Sequence, residues 1–160
     1  MSDFIATVLS DPADPAPALP PIANDGFFPD IDPVMWREQM RIRDGVTPAR
    51  MREALIAAII TVGRDLAGWA AARRAEGIAS LALVPADTID GVSVKLLAYR
   101  RAVFTAAKAE VVEHYRDIDI TGAGQRKSDD LDPSVTELRR DSLHAIRDVL
   151  GVTRTTIDLI

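Results

Sequence analysis

Three times beyond residue 31 of this chain a short polar side chain stands directly before proline: Asp32-Pro33, Thr47-Pro48 and Asp132-Pro133. Each pair combines an oxygen that can accept from the free N–H groups of a helix's first turn with a ring that presets φ and has no N–H to leave unpaired. A chain punctuated this way is committed to helices that begin at defined places. Gly45, Gly77 and Gly151 supply the matching stops.

Between starts and stops the apolar residues keep a helical period, which predicts an all-α body of about four helices over 33–44, 48–76, 92–116 and 133–150. The second carries Met51, Ala54, Leu55, Ala58, Ile59, Val62, Leu66 and Trp69 on one stripe. At 1.5 Å per residue it would reach about 43 Å, long for so small a domain. Gly63 and Gly68 inside it predict a kink or a close helix crossing. The third stripe is Leu96, Tyr99, Val103, Ala107, Val111 and Tyr115, widened by Leu97 and Phe104. The fourth is Val135, Leu138, Ser142, Ile146 and Val149. Ser80 to Gly91 reads as a connector, broken by Pro85, with Asp87, Thr88 and Asp90 as caps. Asp117 to Leu131 turns polar and glycine-bearing.

Both ends depart from this pattern. Residues 1–32 hold six aspartates (Asp3, Asp11, Asp14, Asp25, Asp30, Asp32) and no Lys or Arg, leaving 18 acidic against 19 basic residues in the remainder. With Pro12, Pro15, Pro17, Pro20 and Pro21 as well, residues 1–26 read as an acidic Pro/Ala-rich arm that stays extended or disordered unless bound. Residues 27–151 form the helical domain. Residues 152–160 are rich in β-branched side chains, and Thr155, Ile157 and Leu159 alternate with Thr156, Asp158 and Ile160. A lone extended tail on an all-α body either frays or adds to the edge of a partner's sheet.

Several chemistries are excluded. Cysteine is absent, which removes disulfides and thiolate metal sites. Met1 to Ser10 lacks the basic start and long apolar core of a secretory signal. The apolar run Ala54 to Ile60 is far short of the roughly 18 residues that span a bilayer, so the chain reads as soluble and intracellular, with no membrane partner. Gly122-Ala-Gly-Gln-Arg-Lys-Ser128 imitates a phosphate loop but has Arg126 where glycine must precede the lysine. Asp117-Ile-Asp-Ile-Thr-Gly122 opens like a calcium loop, but Ser128 occupies the twelfth position, where a bidentate glutamate is required.

Of the two histidines, His114 follows Leu96 by five helical turns, which predicts a half-buried ring held by Glu110 or by a neighbouring subunit. His144, with Asp141, Asp148, Arg140 and Arg147 around it, reads as part of a solvated charged face. No nucleophile, acid/base pair, metal site or cofactor site emerges, so the chain reads as a non-enzyme. A small DNA-binding regulatory or packaging-accessory protein is the alternative. It lacks a basic helix, since Arg100 and Arg101 share the third helix with Glu110 and Glu113.

One apolar segment has neither a helical nor a strand period: Phe27-Phe-Pro-Asp-Ile-Asp-Pro33, which contains half of the phenylalanines. Phe27, Phe28 and Ile31 must be covered, either by the chain's own helices or by a partner.

This segment, Thr47-Pro-Ala-Arg-Met-Arg-Glu-Ala54, Val84-Pro-Ala-Asp-Thr-Ile-Asp-Gly91, Tyr99-Arg-Arg-Ala-Val103 and Asp129 to Arg140, taken in order, resemble the head completion (GPL) family of contractile-tailed temperate phages. The resemblance covers roughly residues 26 to 160 and leaves the acidic arm outside. It implies a virion assembly protein of the neck, made in the host cytoplasm. Such a protein binds the portal vertex after DNA packaging, retains the genome and offers a surface to the tail terminator or tail completion protein. It also implies likeness to the helical head-to-tail connector proteins of other tailed phages, which form a dodecameric ring. On that footing Phe27, Phe28, Ile31 and His114 become candidates for contact between subunits. Thr155, Ile157, Leu159 and Ile160 become candidates for portal binding by strand addition, and Arg126 and Lys127 for the wall of a channel that passes double-stranded DNA.

Overall fold

The computed structural model describes residues 19–116 and 133–152. Its elements are α1 (Pro33–Gln39), α2 (Pro48–Ala75), a single 3-10 turn (Leu81–Leu83), a minimal hairpin of β1 (Thr88–Ile89) and β2 (Val92–Ser93), α3 (Val94–Arg116) and α4 (Val135–Leu150). The fold is all-α, as the periodicity predicts, with four helices among the described residues.

Two of the three proline starts hold as read. Asp32 accepts from the Val34 N–H at 2.8 Å with Pro33 at the first helical position, and Thr47 accepts from the Arg50 N–H at 3.4 Å ahead of Pro48. The third differs. Asp132 lies outside the described residues, and the helix opens two residues after the expected start, with Ser134 as its cap. Ser134 Oγ accepts from the Glu137 N–H at 3.2 Å while the Glu137 carboxylate accepts from the Ser134 N–H at 2.8 Å. This reciprocal box satisfies two free donors at once. The Ser134 N–H, and then the Ser134 hydroxyl donating to the same carboxylate at 2.9 Å, hold the Glu137 carboxyl below its ordinary pKa.

The stops show a similar split. Gly151 ends α4 at φ 74°, with Val152 N–H reaching the Arg147 carbonyl at 3.0 Å, the double-bonded closure that favours a left-handed residue. Yet α1 does not run to Gly45. It closes at Arg41, at φ 52°, with the Ile42 N–H on the Arg37 carbonyl at 3.0 Å. The side chains explain why a non-glycine is tolerated here. Lys108 Nζ donates to the Met40 carbonyl at 3.1 Å, and an Arg37 guanidinium N–H donates to the Val46 carbonyl at 2.8 Å, so the exposed end of the helix is tied from two directions. The expected third-helix start at residue 92 moves to 94 because Asp90 and Gly91 both take positive φ. That geometry turns a two-residue hairpin, with Thr88 opposite Ser93 and Ile89 opposite Val92.

Helix α3 is the centre of the molecule, packed along α4 and, less extensively, against α2, which barely meets α4. Tyr99, Ala102, Val103 and Ala107 of α3 are sealed among Met51, Leu55, Val62 and Leu66 of α2 and Ala145, Ile146 and Val149 of α4. Ser142 Oγ donates to the Ala102 carbonyl at 2.9 Å, an approach open because alanine leaves that turn bare. The short α1 contributes Trp36, fully buried, whose Nε1 donates to the Phe104 carbonyl at 3.0 Å. Burial of a ring that size without an unpaired N–H anchors α1 across the middle of α3.

Helix α2 runs unbroken for 28 residues, about 42 Å at 1.5 Å per residue. By length and apolar composition it could cross a membrane, although the sequence reading found no such run. Alanine, glycine and threonine between the larger side chains account for the difference, and its buried stripe is part of the protein core. Neither Gly63 nor Gly68 makes a close crossing, for a side-chain carbon at either would meet nothing within 4 Å. Both glycines lie on the outer part of the helix surface.

Candidate functional site

The segment Ile22–Ile31 closes on itself as a hook. The Ile22 N–H donates to the Ile31 carbonyl at 2.7 Å, and the Ile31 N–H to the Ile22 carbonyl at 3.0 Å. Within the hook Asp25 does the work of a cap: its Oδ1 accepts from Phe27 N–H at 3.0 Å and Phe28 N–H at 2.9 Å, and its Oδ2 pairs with Arg74 of α2. Partial burial pushes the Asp25 carboxyl up, but the Phe28 N–H, Arg74 and the Phe27 N–H outweigh it and leave its pKa below the ordinary value. Asn24 spans the loop, its Nδ2 donating to the Pro29 carbonyl at 3.2 Å and to the Tyr99 hydroxyl at 2.8 Å, while its N–H donates to Asp30 Oδ1 at 2.9 Å.

These bonds aim both phenylalanines inward. Phe28 stacks on Tyr99 with centroids 4.6 Å apart and planes 9° apart, Phe27 meets Phe28 edge-on at 5.1 Å, and Phe27 lies 6.3 Å from the Trp69 ring. The Arg74 guanidinium sits 4.8 Å over Phe27. Phe27, Phe28 and Ile31 are all buried, so of the two covers open to them the structure supplies the chain's own helices. None of the three offers surface to a neighbouring subunit in this conformation. Burial raises the Tyr99 hydroxyl to about 12, against a smaller lowering from Asn24 and a further raise from Asp25.

A second cluster lies beside the hook. Lys95 Nζ is 5.5 Å over the Trp69 ring and donates to the Val149 carbonyl at 2.7 Å. An ammonium at the carbonyl end of α4 meets the negative pole of that helix, and burial, then Arg73, lowers its pKa. Arg73 stands 6.0 Å from the same indole. The point at which the chain leaves α4 for its last residues is therefore pinned to both α2 and α3. Thr155, Ile157, Leu159 and Ile160 lie beyond it, outside the described residues.

At the opposite end, the first turns of α2 and the last of α3 diverge into a cleft of about 350 Å³ lined by Arg50, Glu53, Ala54, Ala57, Glu110, Val111 and His114. His114 Nε2 is 3.7 Å from Glu110 Oε2, but its side chain is 81% exposed rather than half-buried. The stripe that should have buried it runs off the packed part of α3, and Arg50 and Glu53 face it across open space instead of a core. Arg126 and Lys127 lie outside the described residues, as do the segments that imitate phosphate and calcium loops. Among the described residues no three His, Asp or Glu side chains gather to hold a metal ion.

Sequence reasoning missed Asn24, Asp25 and Lys95. The first two carried a signal, because Asn-Asp-Gly directly before a pair of aromatics is turn chemistry. Lys95 carried none, since its role comes from α4, more than fifty residues away.

Comparison with known proteins gives these surfaces a context. A head completion/stabilization protein of Escherichia phage P2 is 40% identical over 146 residues, covering 91% of this chain and 86% of the relative. A probable head completion/stabilization protein of Haemophilus phage HP1 (strain HP1c1) is 28% identical over 139 residues, covering 87% and 91%. No solved structure matches significantly. Residues 22–160 match the phage head completion protein (GPL) family, a span that begins at the first residue of the hook and continues through the tail, and the chain belongs to that family.

Proposed function

We propose that this chain is a structural adaptor of phage head assembly, which adds to the portal vertex once DNA is packaged, retains the genome and presents a surface to the tail terminator or tail completion protein. It works in a ring with its own copies, in the neck of the virion. The observation that carries this reading is the extent of the family match, which takes in the hook and residues 153–160 and leaves out residues 1–21 of the acidic arm. A short β-branched tail leaving a helix end locked by Lys95 is a docking element on a fixed base. Thr155, Ile157, Leu159 and Ile160 dock by adding a strand to the portal.

The cleft beside His114 and Glu110 is the surface assigned to the neighbouring subunit. It is open and charged, as contacts at the rim of an interface are. Arg126 and Lys127 are assigned to the DNA-facing side, where two cations per subunit repeated around a ring would hold phosphates in a salt-dependent way. A DNA-binding regulator draws no support from the helix faces, since Arg101 lies 3.6 Å from Asp141 and Arg139 pairs with Glu113.

Deleting Arg154 to Ile160 tests the docking assignment. The truncated protein keeps its helical circular dichroism and its melting transition but no longer co-purifies with portal. Portal capture equal to that of the full chain would overturn the assignment.

A further inference from the structure

Helix α2 carries an apolar ridge that no described residue covers. Arg52, Ile56, Ile60 and Arg64 follow one another at intervals of four, so they form a single row on one face. Ile56 is 38% exposed and Ile60 55%. Neither Arg52 nor Arg64 forms an ion pair among the described residues. Along the same row lie Gly68 and Ala72, exposed and too small to obstruct a chain passing over them. The ridge is thus two aliphatic side chains bracketed by two cations, with a low path toward the end of α2 where the hook sits.

The chain also holds the complement. Residues 3–11, outside the described residues, read Asp-Phe-Ile-Ala-Thr-Val-Leu-Ser-Asp: four large apolar side chains bracketed by two anions. We infer that this segment of the arm lies on the Ile56–Ile60 ridge of its own chain, with Asp11 toward Arg64 and Asp3 toward Arg52. The direction follows from attachment. Leu19 is packed against the core next to the hook, and the hook abuts α2 at Trp69 and Arg74. Nine residues of helix from Trp69 back to Ile60 are about 14 Å, while the ten residues from Leu9 to Leu19, with Pro12, Pro15 and Pro17 among them, reach about 31 Å in extended polyproline geometry. The linker is long enough to deliver the segment in that register.

Because the chain has no cysteine, a nitroxide on Ser10→Cys of the full-length protein labels one position. The expected result is loss of the Ile56, Ile60 and Arg64 amide signals relative to the reduced label, with Leu143 on the exposed face of α4 unchanged. Adding Ile60→Asp, at a surface site that leaves folding intact, restores the Ile56 and Arg64 signals. Unchanged signals along α2, or equal loss at Leu143, would overturn the inference. So would loss that appears in a mixture of isotope-labelled protein without nitroxide and nitroxide-bearing protein without isotope, since the ridge would then belong to a second copy.

Discussion

The hook at Ile22–Ile31 and the outer ridge of α2 hold the same class of side chain in opposite surroundings. In the hook an irregular backbone buries Phe27, Phe28 and Ile31. On the ridge a regular helix leaves Ile56 and Ile60 partly exposed by the described residues. The hook succeeds because its polar groups are satisfied on the way in: Asp25 takes two backbone N–H groups, Asn24 joins the loop to Tyr99, and the Ile22–Ile31 pair closes the base. Once those bonds exist, burying the rings costs no orphaned donor. The ridge has no such problem to solve, since a helix satisfies its own backbone wherever it lies.

The sharpest way to break this contrast is at Phe28. Phe28→Ala removes a ring stacked on Tyr99 and leaves a void between α3 and the hook, with an expected loss of about 3–5 kcal/mol in urea denaturation. A loss below about 0.5 kcal/mol, the range of ordinary surface changes, would mean that the hook is dispensable to the fold.

Tyr99→Phe probes the bond that joins the hook to α3. It keeps the stack and deletes the hydroxyl that Asn24 reaches, with an expected cost of about 1 kcal/mol at neutral pH. The pH dependence carries a further signature. Because the folded hydroxyl titrates at about 12 and its ordinary value is 10.0, the unfolded chain releases this proton first. Stability is fully present below pH 10 and falls as the pH rises toward 12. The phenylalanine variant lacks that portion of the alkaline loss. Parallel alkaline stability curves for the two proteins would show that burial does not hold the Tyr99 hydroxyl protonated beyond its ordinary range.

The smallest expected effect is on the ridge. In protein lacking residues 1–18, Ile60→Ser changes folding stability by no more than about 0.5 kcal/mol, and a larger drop in a thermal melt would place Ile60 inside the packed core of the helical body.

Local signals in the chain were legible to different depths. The caps at Asp32 and Thr47 and the stops at Gly77 and Gly151 depend on bonds within one turn, so the residues themselves declare them. The closure of α1 at Arg41 depends on Lys108, far along the chain, and the sequence pointed to Gly45 instead. Asp132-Pro133 looked like the other proline starts, but the Ser134 and Glu137 box sets the boundary two residues on. Asp90-Gly91 carried hairpin chemistry that was hidden by a reading of the same residues as caps. For the aromatic segment, the need for a cover was legible and its identity was not, because that depends on which helix faces surround it. His114 shows the reverse error: a period extrapolated past the end of the packing it describes.

The bond from Lys95 to the Val149 carbonyl bears on how this molecule would carry load. A pull on the residues beyond Val152 reaches α4 at its last turn, the part of a helix that ordinarily peels first. Here that turn is tied to an ammonium lodged over Trp69, and the indole is in turn braced against Phe27. A load at Val152 is therefore shared through the Lys95 side chain with α2, α3 and the hook.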